Sequence, residues 1–360
     1  MSEQSPNPYV GLPETAFWKT AVAARNPLEI SALWRPKFPV ARKHKVITAG
    51  SCFAQHFSRA LVARGYGWLD AEPEPKLLSE DQARDFNYGI FSFRTGNIYT
   101  ARMLRQWLSY AFEGEEPPVE HWEQSGRFYD PLRPGIEPEG FADLAELQAS
   151  RAALLAAIRG AILEADVLVF TMGLTECWRH RTSELEYAIC PGTLAGRFDP
   201  GQHEFVNQSF VGIRRDMLAA LKILRQANPK LKVLLTVSPV PLTATASGEH
   251  VLTATSHSKS VLRAVAGELA AEFKHVDYFP SYEIITHPAY RGMFYAPNQR
   301  SVVPQGVNHV MESFFACQSA AFPWLARKSK RGGKTAGEPA GQPSNARAVK
   351  CDEEFLDAFG

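Results

Sequence analysis

Two stretches of this chain, Val167-Leu168-Val169-Phe170-Thr171 and Val233-Leu234-Leu235-Thr236-Val237, are apolar almost throughout. A strand with one wet face alternates in polarity, whereas one apolar on both faces belongs to a parallel sheet whose crossover helices cover each side. The flanking segments supply such helices. Phe141 to Glu164 carries Leu144, Leu147, Leu154, Leu155, Ile158 and Ile162 at helical spacing, and Phe210, Ile213, Met217, Leu221 and Leu224 repeat the pattern. A helix over Ser258 to Phe273 leads into a strand at Val276 to Phe279. Earlier, Lys45 to Ala49 reads as a short buried strand, followed after Gly50 by a helix from Ala54 to Arg64. The pattern predicts an α/β protein with three layers, α/β/α, around a central parallel sheet. In such sheets ligands gather beyond the carboxyl ends of the strands.

The rest of the chain frames that unit. Residues 1–40 read as an N-terminal arm, rich in proline and pinned to the core by Phe17, Trp18 and Trp34, ahead of a domain over 41–325. A helix is expected near Ala101 to Phe112, a loop or lid over the proline- and glycine-rich Glu113 to Gly140, and a last core helix over Val307 to Leu325. Residues 326–350, rich in Lys, Gly, Pro, Ala and Ser, cannot bury enough apolar surface to offset ordering entropy, so they read as a disordered linker. Residues 351–360 are acidic, with Phe355, Leu356 and Phe359 at helical spacing, the shape of a docking peptide for a protein partner. An unstructured terminus is the alternative.

Composition narrows the function. A net charge of +1 gives no field to gather nucleic acid, so a neutral or small partner fits better. The N-terminus has no basic stretch leading into an apolar run, and no segment approaches the roughly 20 apolar residues of a membrane span. The five cysteines, Cys52, Cys177, Cys190, Cys317 and Cys351, form no Cys-x-x-Cys pair and no zinc-ligand spacing. They read as reduced thiols of a cytoplasmic protein. No motif implies a cofactor or a metal.

Chemistry is concentrated where the first strand meets its helix, at Gly50-Ser51-Cys52-Phe53-Ala54. A small polar residue there lies at the carboxyl edge of the sheet beside helix N-terminal amides, which stabilise an oxyanion and lower a thiol pKa. Ser51 and Cys52 are both candidate nucleophiles, with an inert turn as the alternative. Ile47 to Phe57, containing this motif, resembles the defining stretch of the GSCFA family. Other segments resemble it too, among them Gly96-Asn97-Ile98-Tyr99-Thr100, Thr171-Met172-Gly173-Leu174-Thr175-Glu176, Ser258-Lys259-Ser260 and Tyr278-Phe279-Pro280.

The family is distantly similar to the SGNH/GDSL hydrolases, which implies a flavodoxin-like topology and acyl-ester chemistry. That resemblance places Cys52 in the nucleophile's position by register and Ser51 by residue type. It also suggests Gly89 or Gly96, with Asn97, and Gly173 for the oxyanion or substrate. Thr175 stands where an oxyanion Asn is expected. Glu176 reads as a buried acid or substrate-binding carboxylate, or else as a partner of Arg179 or Arg181. The Asp-x-x-His pair of those hydrolases is replaced by Asn298-Gln299-Arg300-Ser301, leaving His309 as the nearest histidine, with His257, His287, Asn298 and Ser301 as weaker candidates. The expectation is an acyl-ester hydrolase or O-acyltransferase acting on a small molecule or glycan. A catalytically silent binding module is the alternative.

Overall fold

The computed structural model describes residues 7–326 and 352–359. In chain order, β1 (Lys45–Gly50), α1 (Ala54–Ala63), β2 (Gly67–Trp68), α2 (Glu80–Asp85) and α3 (Ala101–Phe112) are followed by a hairpin of β3 (Trp122–Gln124) and β4 (Arg127–Tyr129). Then come α4 (Leu144–Glu164), β5 (Val167–Met172), β6 (Glu176–His180), β7 (Glu186–Tyr187), β8 (His203–Asn207), α5 (Phe210–Ala227) and β9 (Lys232–Val237). The last elements are α6 (Val251–Glu272), β10 (Val276–Tyr278), α7 (Ser281–Thr286) and α8 (Pro304–Ala321).

Five strands form the central sheet in the order β10-β9-β5-β1-β2, all parallel. Counted along the sheet alone, this is the 2-1-3-4-5 order of flavodoxin-like folds, whose topological switch lies between the first and third strands, here β1 and β5. Side chains alternate between the two faces as strand geometry dictates. Ile47, Ala49, Leu168, Phe170, Val233 and Leu235 pack under α3, α4, α5 and α6. Val46, Val169 and Leu234 pack under α1, α7 and α8, where Phe57, Leu61, Ile284 and Phe314 meet. The three-layer architecture follows directly.

Several details depart from the sequence pattern. Of the three aromatic residues expected to anchor the arm, Trp34 alone is buried, stacked on Phe314 at 5.4 Å and edge-on to Phe279 at 5.1 Å. Phe17 and Trp18 remain 39% and 62% exposed. The segment expected as a lid is tied down by a wholly buried ion-pair network. Asp130 accepts from Arg133 Nε at 3.0 Å and from Arg151 Nη2 at 2.6 Å. The α6 helix begins seven residues earlier than its apolar stripe suggests, because His250 Nδ1 caps it by accepting from the Leu252 amide. An antiparallel sheet, β7-β6-β8, stands on the carboxyl side of β5. Its short, polar strands leave little periodicity in the sequence. Of the expected 326–350 linker, only Ala326 lies among the described residues. Residues 352–359 form a 3₁₀ helix.

Candidate functional site

At the switch point β1 and β5 approach so closely that Gly50 has no room for a side chain. A Cβ there would stand 2.3 Å from the Thr171 carbonyl oxygen, and its φ of +127° already disfavours other residues. The chain then turns at once: the Ser51 amide donates to Thr171 O at 3.0 Å, and the Ala54 amide donates to Ser51 O at 2.9 Å, starting α1. Ser51 and Cys52 are thereby delivered to the mouth of a helix. Ser51 is 2% exposed, and its Oγ has no hydrogen-bond partner among the described residues, nor has Thr171 Oγ1 nearby. Cys52 is half-buried and disulfide-bonded, in place of the reduced thiol its wide spacing suggested. Cysteine spacing along a chain does not report which thiols the fold brings within bonding distance.

The other motif residues converge on the same edge. Ile98 donates its amide to Gly50 O at 2.9 Å, which seats the buried Asn97 beside the motif. Gly89 and Gly96 occupy positive-φ turns of the loop leading to that contact, with Gly89 exposed. Gly173 lies against Ser51: a Cβ there would meet Ser51 Cβ at 3.1 Å and the Tyr99 ring at 3.0 Å. Its amide is already donated to Tyr99 O at 2.9 Å, so its glycine character serves close packing rather than oxyanion binding. Its carbonyl accepts from Lys259 Nζ at 2.7 Å, a lysine only 1% exposed. Lys259 sits in one of the family-like segments of the sequence, which gave it no site role, although it falls on the face of α6 that also carries Leu262 and Ala266. Thr175 is fully buried, donating its hydroxyl to Asn207 Oδ1 at 2.7 Å and its amide to Ser258 Oγ at 3.0 Å. Thr175, just before β6, therefore ties that strand's start to β8 and α6.

Above this floor opens a mainly apolar cavity of about 660 Å³ between the sheet's carboxyl edge and the β7-β6-β8 sheet, lined by Tyr99, Leu174, Trp178, Phe198 and Leu242 among others. Two carboxylates face it. Glu176 accepts from Thr245 Oγ1 at 2.8 Å, while Arg179 and Arg181 pair instead with Glu204 at 2.6 and 3.2 Å. Burial raises the Glu176 pKa, against the opposing pull of the Thr245 hydrogen bond. Glu186, fully buried, accepts from the Thr100 hydroxyl and from Gln208 Nε2 at 2.8 Å, and burial pushes its pKa up to about 7. Nothing in the local sequence distinguishes Glu186 from its exposed neighbour Glu184.

The imidazoles stand apart. His309 is packed between Tyr290 and Phe294, with ring centroids at 5.7 and 5.2 Å, and burial lowers its pKa. Its Nε2 has no partner among the described residues, and no hydrogen bond joins it to Ser51 or Cys52. His257 is exposed on α6, near enough to Glu176 to favour its ionised form. His287 caps a 3₁₀ turn, its Nδ1 accepting from the Ala289 amide. Asn298 closes on itself, donating to Ser301 Oγ at 2.9 Å and accepting from the Ser301 amide. Asn298 and Ser301 thus build a local turn. Among the described residues there is no group of three or more His, Cys, Asp or Glu placed to hold a metal, and no helix long and apolar enough to cross a membrane.

Fold and site together define a doubly wound α/β protein that carries paired serine and cysteine at its topological switch point. The model of the GSCFA family matches residues 45–314, well over half of the chain, and the chain belongs to that family. No curated protein matches it.

Proposed function

We propose that this protein acts on an acyl ester, hydrolysing it or passing its acyl group to an acceptor such as a sugar hydroxyl, with Cys52 or Ser51 as nucleophile. The observation that carries the reading is the delivery of both residues to the N-terminus of α1, with Gly173 packed between Ser51 and Tyr99, a residue that lines the apolar cavity. Attack by sulfur or oxygen on the ester carbon would place negative charge on the carbonyl oxygen. The Phe53 N-cap of α1 sits at the positive end of the helix dipole, which favours such a charge. Collapse of the intermediate expels the alcohol, and water or an acceptor hydroxyl then releases the acyl group. The cavity suits the apolar part of such a substrate, and its aromatic lining also suits a sugar ring. A cytoplasmic setting belongs to this reading.

A catalytically silent binding module is the second reading, favoured by the packing of His309 away from the motif. Covalent labelling of the native, reduced protein by a fluorophosphonate and by a thiol-directed acyl electrophile separates the two. Stoichiometric labelling that disappears in Ser51→Ala or Cys52→Ala supports the enzyme. Labelling no faster than that of free serine or a free thiol supports the binding module.

A further inference from the structure

We propose that the cavity binds an organic ammonium ion between aromatic rings and the Glu176 carboxylate, so that the ester this protein acts on carries a quaternary or protonated amine. The inference deepens the ester reading by naming its substrate class, and rests on that reading for the bond that is broken.

One wall of the cavity is the β7-β6-β8 sheet, and strand geometry fixes what that wall presents. Alternate residues of a strand share a face, so Glu176 and Trp178 of β6 stand together. Register sets Tyr187 of β7 and Phe205 of β8 directly beside Trp178, on the same face of the sheet. Phe198, from the segment before β8, meets Trp178 edge-on, with ring centroids 5.2 Å apart and ring planes at 79°. Phe205 meets it at 5.6 Å and 64°. Rings at such steep angles form adjoining walls rather than a stack. All five residues line the cavity.

The same alternation takes away the counter-ions. Arg179 points to the opposite face and pairs with Glu204, its register partner on β8, which Arg181 also engages. Glu176 is left 8% exposed, and its side chain accepts one hydrogen bond among the described residues, from Thr245 Oγ1. A carboxylate can accept about four, and a buried one needs donors or a counter-charge. Glu249, close enough to raise the Glu176 pKa, adds a second negative charge. The basic groups nearby, Arg197 on the cavity lining and His257 on α6, are both exposed to water, where charges act weakly.

Three kinds of ligand fit this lining badly. An anion is repelled, an uncharged apolar body strips water from Glu176 and returns nothing, and a sugar needs polar partners around a ring that this mainly apolar wall does not supply. An ammonium group meets both demands. Its charge pairs with Glu176, and its methyl or methylene groups carry positive charge against the rings, tryptophan being the strongest such partner. About 660 Å³ leaves room for an acyl or aromatic body beside it.

The test uses the full chain and two probes that are not esters, meta-hydroxyphenyltrimethylammonium and its uncharged carbon isostere meta-tert-butylphenol. Each is titrated calorimetrically at neutral pH into wild type, Glu176→Gln and Trp178→Leu. Wild type should bind the ammonium at least about tenfold more tightly than the phenol. Glu176→Gln keeps an acceptor for Thr245 and loses the charge, so it should weaken the ammonium about tenfold or more and leave the phenol within about twofold. Its phenol binding shows that the cavity is intact. Trp178→Leu should weaken the ammonium about threefold or more. Equal affinity of wild type for the two probes, a preference for the phenol, or no ammonium binding at all overturns the proposal, whatever the variants do. So does undiminished ammonium binding by either variant. Failure of Ser51 and Cys52 to label would defeat the ester-bond reading alone, leaving these binding readouts intact.

Discussion

Glu186 offers a quantitative check on the wall between cavity and sheet. Its carboxyl is fully buried, with Thr100 and Gln208 as donors, and it holds its proton to about pH 7 rather than 4.5 because ionising it in the interior is unfavourable. The native state therefore binds this proton more tightly than the unfolded state does. Below pH 4.5 both states are protonated and nothing is lost. As pH rises towards 7 the unfolded chain ionises freely and the native state does not, so stability falls. At about 1.4 kcal/mol per tenfold difference in proton affinity, the loss reaches about 3 kcal/mol above pH 7.

Glu186→Gln removes that ionisation, and with it the pH-dependent loss, whatever constant cost its amide adds. Its carbonyl can accept from Thr100. Urea unfolding of both proteins under reducing conditions, followed by circular dichroism at pH 5, 6, 7 and 8, measures the difference directly. The stability of Glu186→Gln relative to wild type should climb by about 2.5 kcal/mol from pH 5 to pH 8. Parallel pH profiles would refute the argument, because they would mean Glu186 ionises as readily inside the protein as outside it.

Further substitutions test the floor and frame of the site. Gly50→Ala forces a methyl group against the Thr171 backbone at a positive φ, and should lower unfolding free energy by about 3 kcal/mol or more in urea titrations. Asp130→Asn leaves Arg133 and Arg151 buried without their counter-charge. It should lose about 3–5 kcal/mol at neutral pH, an effect that shrinks in acid as wild-type Asp130 itself protonates. His309→Ala should cost about 1–3 kcal/mol through the space left between Tyr290 and Phe294, while labelling of the motif nucleophile proceeds at the wild-type rate. A labelling rate that collapses in folded His309→Ala would instead make that imidazole part of the reaction.

Local pattern revealed the scaffold because its causes are local. Strands such as Val167–Met172 are apolar on both faces since helices cover both, and the 3.6-residue period of α4 and α5 marks the face each helix buries. The motif glycine was legible for the same kind of reason: Gly50 ends a buried strand at a turn into a helix. Elements with weak periodicity escaped. The β7-β6-β8 sheet is short, polar on one face and interrupted by turns, and the start of α6 is written in Thr and Ser, which form helices indifferently.

The sequence by itself determined the layered sheet, the strand–turn–helix at Ser51 and Cys52, and the family those residues mark. Tertiary structure alone decided what surrounds them. Lys259 meets Gly173 across 86 residues, Thr100 meets Glu186 across 86, and Arg300 meets Glu354 beyond the last helix of the sheet's cover. Tertiary structure also decided that His309 is enclosed by aromatic rings rather than turned to the motif. Such pairings depend on where crossovers and loops close in space. A repeat of two or 3.6 residues records only which side of its own segment meets water, not which distant segment covers it.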